Sequence, residues 1–227
     1  MTMKPIFYRP EQLREMMRKF LNTALILVLL GAFVAPASAF AAMAEAGKVT
    51  RLQNKAEILR GSQTLPLEKG TAIRVDDRIS TGPNARVEIT LRDETKLTIG
   101  ENSELVIDKY LFEPEKGIGT AIINAAKGPF RFITGQIGKM KNKKVEVHNP
   151  VGTIGIRGTD FWGGPSRGVY GVLLLEGAIA VFTDAGGRLV TAAGDGVNLT
   201  TSDALPSDPA AWAKPRVDEA IATVTFK

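Results

Sequence analysis

His148 is the only histidine in the chain, and there is no cysteine. Serine–histidine–aspartate chemistry would have to run through that single imidazole, and no serine stands in a Gly-x-Ser-x-Gly elbow to act as its nucleophile. A histidine-cluster metal site, a thiolate zinc site, a cysteine nucleophile and a disulfide framework are all excluded by composition. His148 is therefore read as a surface or strand-end residue. Asp76, Asp77 and Asp93 offer carboxylates for hydrolysis or calcium, but no Asp-x-Asp-x-Asp-Gly loop or Gly-Gly-x-Gly-x-Asp repeat surrounds them. Turn formation explains them more simply. No catalytic residue, metal site or cofactor is assigned.

Binding chemistry has better candidates. Arg157 lies between Gly155 and Gly158, where it either presents its guanidinium to a carboxylate or phosphate or pairs internally with Asp77 or Asp93. The internal, structural role is favoured, with Thr159 and Asp160 as further nearby partners. Lys139, Lys141, Lys143 and Lys144 form a basic run that fits either an anionic head group or glycan, or a solvated hairpin tip; the second is favoured. Phe161 and Trp162, beside Gly163 and Gly164, are either an exposed platform or core residues.

The charge balance limits the partners. The chain has a net charge of +5, but residues 1–44 hold five basic and two acidic residues, which leaves 24 basic against 22 acidic in the remainder. A nearly neutral body does not support binding to a phosphate backbone, so no nucleic-acid partner is expected. The same first 44 residues have the layout of a signal peptide. Arg18 and Lys19 precede the apolar run Ala24–Val34, and Ala37-Ser38-Ala39 supplies a cleavage pattern, with Ala42-Met43-Ala44 as a second. Cleavage and export to a periplasm are expected; an uncleaved anchor is the alternative, and would be the chain's only membrane contact.

The elements that would position these residues read as strands. Arg86–Leu91, Lys96–Ile99, Glu104–Ile107, Lys144–Val147 and Ala178–Phe182 alternate apolar and polar residues at period two. Reversals are expected at Gly82-Pro83-Asn84, Arg92-Asp93-Glu94, Gly100-Glu101-Asn102, Asn149-Pro150, Gly163-Gly164-Pro165, Asp184–Gly187 and Gly194-Asp195-Gly196. The stretch from Phe112 to Met140 is looser, and reads either as a connection or as poorly patterned strands. An all-β domain over residues 45–200 is expected, a sandwich or β-solenoid-like stack. A partly helical tail follows over 201–227, with Asp208 as N-cap and Pro209 in the first turn.

Two blocks then resemble the FecR domain family. Val75-Asp76-Asp77-Arg78-Ile79-Ser80-Thr81-Gly82, with the strand Arg86–Leu91 and the Asp93 turn, is similar to the family's GD-x-I-x-TG turn, strand and D-G-S turn. Val147–Phe161, with Gly155, Arg157, Gly158 and Thr159, is similar to its TP-x-A-x-x-G-x-RGT-x-F segment, and Gly177 and Gly194 match later turns. Asp76 stands where the pattern has glycine, Glu94 replaces the glycine of D-G-S, and Asn149 replaces threonine. The resemblance implies an extracytoplasmic β domain, best known as the sensory part of sigma-factor regulators. Residues 1–23 are too few for a cytoplasmic anti-sigma domain, so a stand-alone exported module is expected. Its expected role is non-catalytic binding or signal relay with an envelope protein partner. A structural protein binding a cell-wall glycan is the alternative, and a carbohydrate-active hydrolase a distant third.

Overall fold

The computed structural model describes residues 45–227, and the leader segment lies outside them. The described chain is almost entirely β, in two nine-stranded sheets. Across the first sheet the order is β4 (Ala72–Arg74), β1 (Glu45–Gln53), β6 (Arg86–Leu91), β7 (Lys96–Ile99), β10 (Phe130–Ile133), β13 (Asp160–Ser166), β14 (Val169–Glu176), β17 (Asp195–Leu199) and β18 (Ala210–Ala211). The second runs β3 (Gln63–Pro66), β2 (Ala56–Arg60), β5 (Arg78–Thr81), β8 (Glu104–Glu113), β9 (Ile118–Lys127), β11 (Asn142–Asn149), β12 (Gly152–Ile156), β15 (Ile179–Thr183) and β16 (Gly186–Val190).

Apart from the first hairpins, spatial order follows chain order in both sheets. The chain lays down one or two strands in one sheet, crosses, and lays down the next in the other. Period-two alternation supplies one apolar face per strand, and these faces meet in a single continuous core that includes Ile58, Ile79, Val87, Ile89, Leu97, Ile107, Ile123, Phe132 and Val181. Every pairing between neighbouring strands is antiparallel except β9 with β11, which β10 separates in sequence. A parallel pair needs such a crossover, and here it passes through the other sheet.

The loose stretch from Phe112 to Met140 is thus mostly strand. Its pattern is weak because small residues face inward: Gly119, Ala121 and Ala125 are buried, and a side chain on Gly119 would overlap Ile137. The basic run is not a hairpin tip, since Lys139 ends a short 3-10 turn (Gln136–Lys139) and Lys143 and Lys144 lie in β11. Gly163-Gly164-Pro165 is not a reversal either. It lies inside β13, where the glycines admit the Phe130 ring and Pro129, and the chain turns at Arg167-Gly168 instead.

The tail differs from expectation in its start. Helix α1 spans Lys214–Val224 with Pro215 in its first turn, where the missing N–H costs nothing, and Ala213 rather than Asp208 precedes it. Pro209 lies in no helix, directly before β18, and the Asp208 carboxylate pairs with Arg188 at 2.8 Å. Ala220 and Val224 cover Trp162 and Leu173 on the outer face of the first sheet, so that sheet is buried on both sides here. Trp162 Nε1 donates to Thr223 Oγ1 at 3.0 Å, and Arg216 stacks 3.5 Å from the Trp212 ring centre while donating to Asn198 Oδ1.

One turn ties the two sheets together. Asp93, between β6 and β7, is fully buried. Its carboxylate accepts from Tyr110 Oη of β8 at 2.9 Å, from Thr95 Oγ1 at 2.6 Å and from the Ile137 N–H at 3.1 Å. The Asp93 N–H donates back to Tyr110 Oη, and the Asp93 carbonyl accepts from the Gln136 N–H. Burial and then the Asp93 charge hold the Tyr110 phenol well above its ordinary range, which keeps it a donor.

Asp93→Ala strands a phenol, a hydroxyl and an amide in the core and is expected to cost about 3 to 5 kcal/mol in urea unfolding. Glu94, next along, holds φ of 67° while exposed, in the family's glycine position. Glu94→Gly removes a left-handed penalty of about 1 to 2 kcal/mol and restores part of it as backbone entropy, so a small rise in melting temperature is expected. An unchanged or lower value would contradict the strain.

Candidate functional site

The family-like residues divide into those the fold uses and those it leaves at the surface. Asp77 belongs to the first group. It is 1% exposed, takes a two-point contact from Arg60 (Nε 2.8 Å, Nη2 2.7 Å) and accepts from the Arg74 N–H at 2.6 Å. The pair locks the β4–β5 turn against β2, and Asp76 beside it takes φ of 65° in the family's glycine position. Gly82 closes the β5–β6 turn through its N–H to the Lys55 carbonyl, and Gly194 donates to the Leu174 carbonyl ahead of β17. Asp93 is committed as described above.

The segment Gly155–Asp160 carries the chain from β12 in one sheet to β13 in the other. Gly158 holds φ of 65°, and Gly177, in the β14–β15 turn, holds φ of 83° with its Cα packed against the Gly158 carbonyl, so neither position takes a side chain without strain. Thr159 is locked by a reciprocal pair: its N–H donates to Thr134 Oγ1 at 2.9 Å and its carbonyl accepts from the Thr134 N–H at 2.8 Å. Asp160 receives a two-point contact from Arg131 at 2.8 and 2.6 Å. Gly155, by contrast, lies within β12 beside the Phe182 ring and has ordinary contacts.

Arg157 does not have the structural role expected of it. Asp77 and Asp93 are both taken by other partners, and the Arg157 side chain is exposed with no hydrogen bond or ion pair among the described residues. Phe161 and Trp162 are fully buried, Phe161 stacked on Phe132 and Trp162 under α1, so they form no exposed platform.

Beside Arg157 lies a cleft of about 250 Å³, lined by Thr134, Gly138, Lys139, Gly158, Asp160 and Glu176 among others. The Thr159 Oγ1 behind it is buried without a partner. The cleft brings Lys139 and the Arg157 turn together, although they lie 18 positions apart in sequence. Lys141 stands beside Gly117 at the start of β9, and Lys144 pairs with Glu146 at 3.4 Å. Sequence reasoning missed Glu176 as a neighbour of the cations, because only the strand pairing brings it there.

His148 is half-exposed at 3.3 Å from Glu146 Oε2, on the outer face of the second sheet. Nearby Asp108 is pushed up by burial, then eased back by His148 and raised further by Asp76. Among the described residues no three acidic or histidine side chains converge as metal ligands would.

Residues 77–180 match the family described as FecR protein. Two crystal structures of a "putative anti-sigma factor" from Parabacteroides distasonis, at 1.65 and 2.50 Å resolution, align at 13% identity and a TM-score of 0.48. The alignment covers 62% of this chain and 62% of theirs, less than two thirds of those proteins. No curated protein matches. The matched span opens on the buried Asp77 and closes at Ala180 in β15, so the part of this chain that is similar to FecR protein takes in the Asp77 and Asp93 turns and the crossing from β12 to β13.

Proposed function

We infer that the protein is a non-catalytic, exported binding and signal-relay module whose β body takes a protein partner at a sheet edge. The observation that carries this reading is the contrast among the four edges. In the first sheet the edge strands are blunt, three residues in β4 and two in β18. In the second, β3 ends in Pro66, which cannot donate to an added strand. The other edge, β16, has five residues, pairs only with β15, and carries Leu189 at 61% exposure. Phe182 of β15, 48% exposed, lies on the same outer face. An extended segment adding to β16 would satisfy its free backbone groups and cover both side chains.

Three further points support the reading. The FecR match over residues 77–180 supports a relay role, and the Asp77 and Asp93 carboxylates are spent on the fold rather than facing a cleft. Strand β1 starts at Glu45, directly after the second cleavage pattern, so removal of the leader at Ala39 or Ala44 leaves every described strand whole.

A photo-crosslinking residue at Leu189 is expected to capture a specific envelope protein in cells, while one at Leu65 on β3 does not; no adduct at Leu189, or equal adducts at both, sinks the edge-pairing reading. Arg157→Ala is expected to change stability by less than about 0.5 kcal/mol, as for an exposed side chain without partners. A larger loss on thermal melting would return Arg157 to a structural role.

A further inference from the structure

Charge is strongly segregated within the nearly neutral body. From Lys116 to Arg157 the chain carries eight lysines and arginines and one carboxylate, Glu146; the rest of residues 45–227 carries 16 basic and 21 acidic residues. Strand register gathers most of these cations at one end of the second sheet. Asn142 of β11 pairs with Ile118 of β9, which sets Lys141 beside the Lys116-Gly117 turn. Glu146 pairs with Gly155, so Lys144 and Arg157 come level across β11 and β12. Lys139 joins them from the cleft. Lys116, Lys139, Lys141, Lys143, Lys144 and Arg157 are all exposed. Glu113 and Glu146 pair with two of the six, Lys116 and Lys144, and the other four have no ion pair among the described residues.

We propose that this cationic corner is a peripheral contact with an anionic lipid surface, additional to any made by the leader segment. Three observations favour a bilayer over a discrete anion or an acidic chain. Five of the six cations are lysines, point charges on flexible stems that suit a fluid array of phosphates, whereas a fixed phosphate or carboxylate selects the arginine fork. The adjoining cleft is lined by Asp160 and Glu176, so a linear polyanion is not drawn into it, and the cations act outward. An exposed apolar side chain lies among them: Leu111, 41% exposed, is level with Thr120 and Lys144 across β8, β9 and β11. Cations around an exposed leucine are the composition of an interfacial contact. This surface uses none of the residues of the β16 edge, so either proposal can fail alone.

The test is sedimentation of the full chain with vesicles of pure phosphatidylcholine, or of phosphatidylcholine with about 30% phosphatidylglycerol. The leader segment carries five basic and two acidic residues and adds its own preference for anionic vesicles, which is the part that the lysine variant below retains. Binding is expected to be at least about tenfold tighter to the anionic vesicles, with the preference gone at about 1 M salt. The variant K139Q/K141Q/K143Q/K144Q, all at exposed positions and checked by circular dichroism, should lose most of the preference. Leu111→Gln should weaken binding about threefold without changing the salt dependence. Equal binding to both vesicles, or an undiminished preference in the quadruple variant, overturns the proposal. So does tighter, lysine-dependent binding to soluble polyglutamate or polyphosphate, which would assign the corner to an anionic polymer instead.

Discussion

A carboxylate shut away from water is the constraint on which the rest of this structure depends. Asp93 sits at the end of a hairpin in one sheet, and its oxygens are satisfied by a phenol from the other sheet and an amide from the connection that follows. A buried charge tolerates only an arrangement that meets it with donors. The two sheets are thereby held in one relative position at the height of β7, and the crossing from β10 to β11 is held with them. Asp77 does the same nearer the start of the stack, with Arg60 as its partner. Hydrophobic burial supplies the driving force for closing the sandwich, but apolar faces slide. The two carboxylates supply the registration.

Laying strands down in chain order has consequences for how the protein can work. Most contacts are between strands close in sequence, so the body is a stack in which each hairpin rests on the one before. Such a stack has two ends and four sheet edges, and the chain treats them unequally. Short strands and a proline blunt three edges, while α1 and Trp212 close the outer face of the first sheet near its last strands. What stays open is the β16 edge and, separately, the cationic corner where β9, β11 and β12 begin or end.

The family-like glycines and aspartates turn out to describe folding, not recognition. Gly158 and Gly177 allow two turns to touch, Thr159 bonds Thr134, and Asp77 and Asp93 register the sheets. Arg157 is the exception within that motif, exposed and without an internal partner, and it lies among lysines that belong to no motif. A surface built from unpatterned lysines has no sequence signature beyond a local excess of charge.

The sequence alone determined the strand content, the positions of most reversals and the resemblance to the FecR family, because period-two alternation and turn residues act over a few neighbouring positions. It also marked Asp76 and Glu94 as departures, and both adopt the left-handed backbone that the missing glycines would have supplied. Tertiary structure decided the rest. Strand β9 is hard to read because Gly119, Ala121 and Ala125 on its inward face are small, Gly119 to fit Ile137. Trp162 could be a platform or a core residue until α1 was seen to cover it. The partners of Arg60, Arg131 and Asp93 lie 17, 29 and up to 44 positions away, and no local pattern specifies which distant donor a buried carboxylate meets. Pairing across sheets is a property of register, and register exists only once the strands have come together.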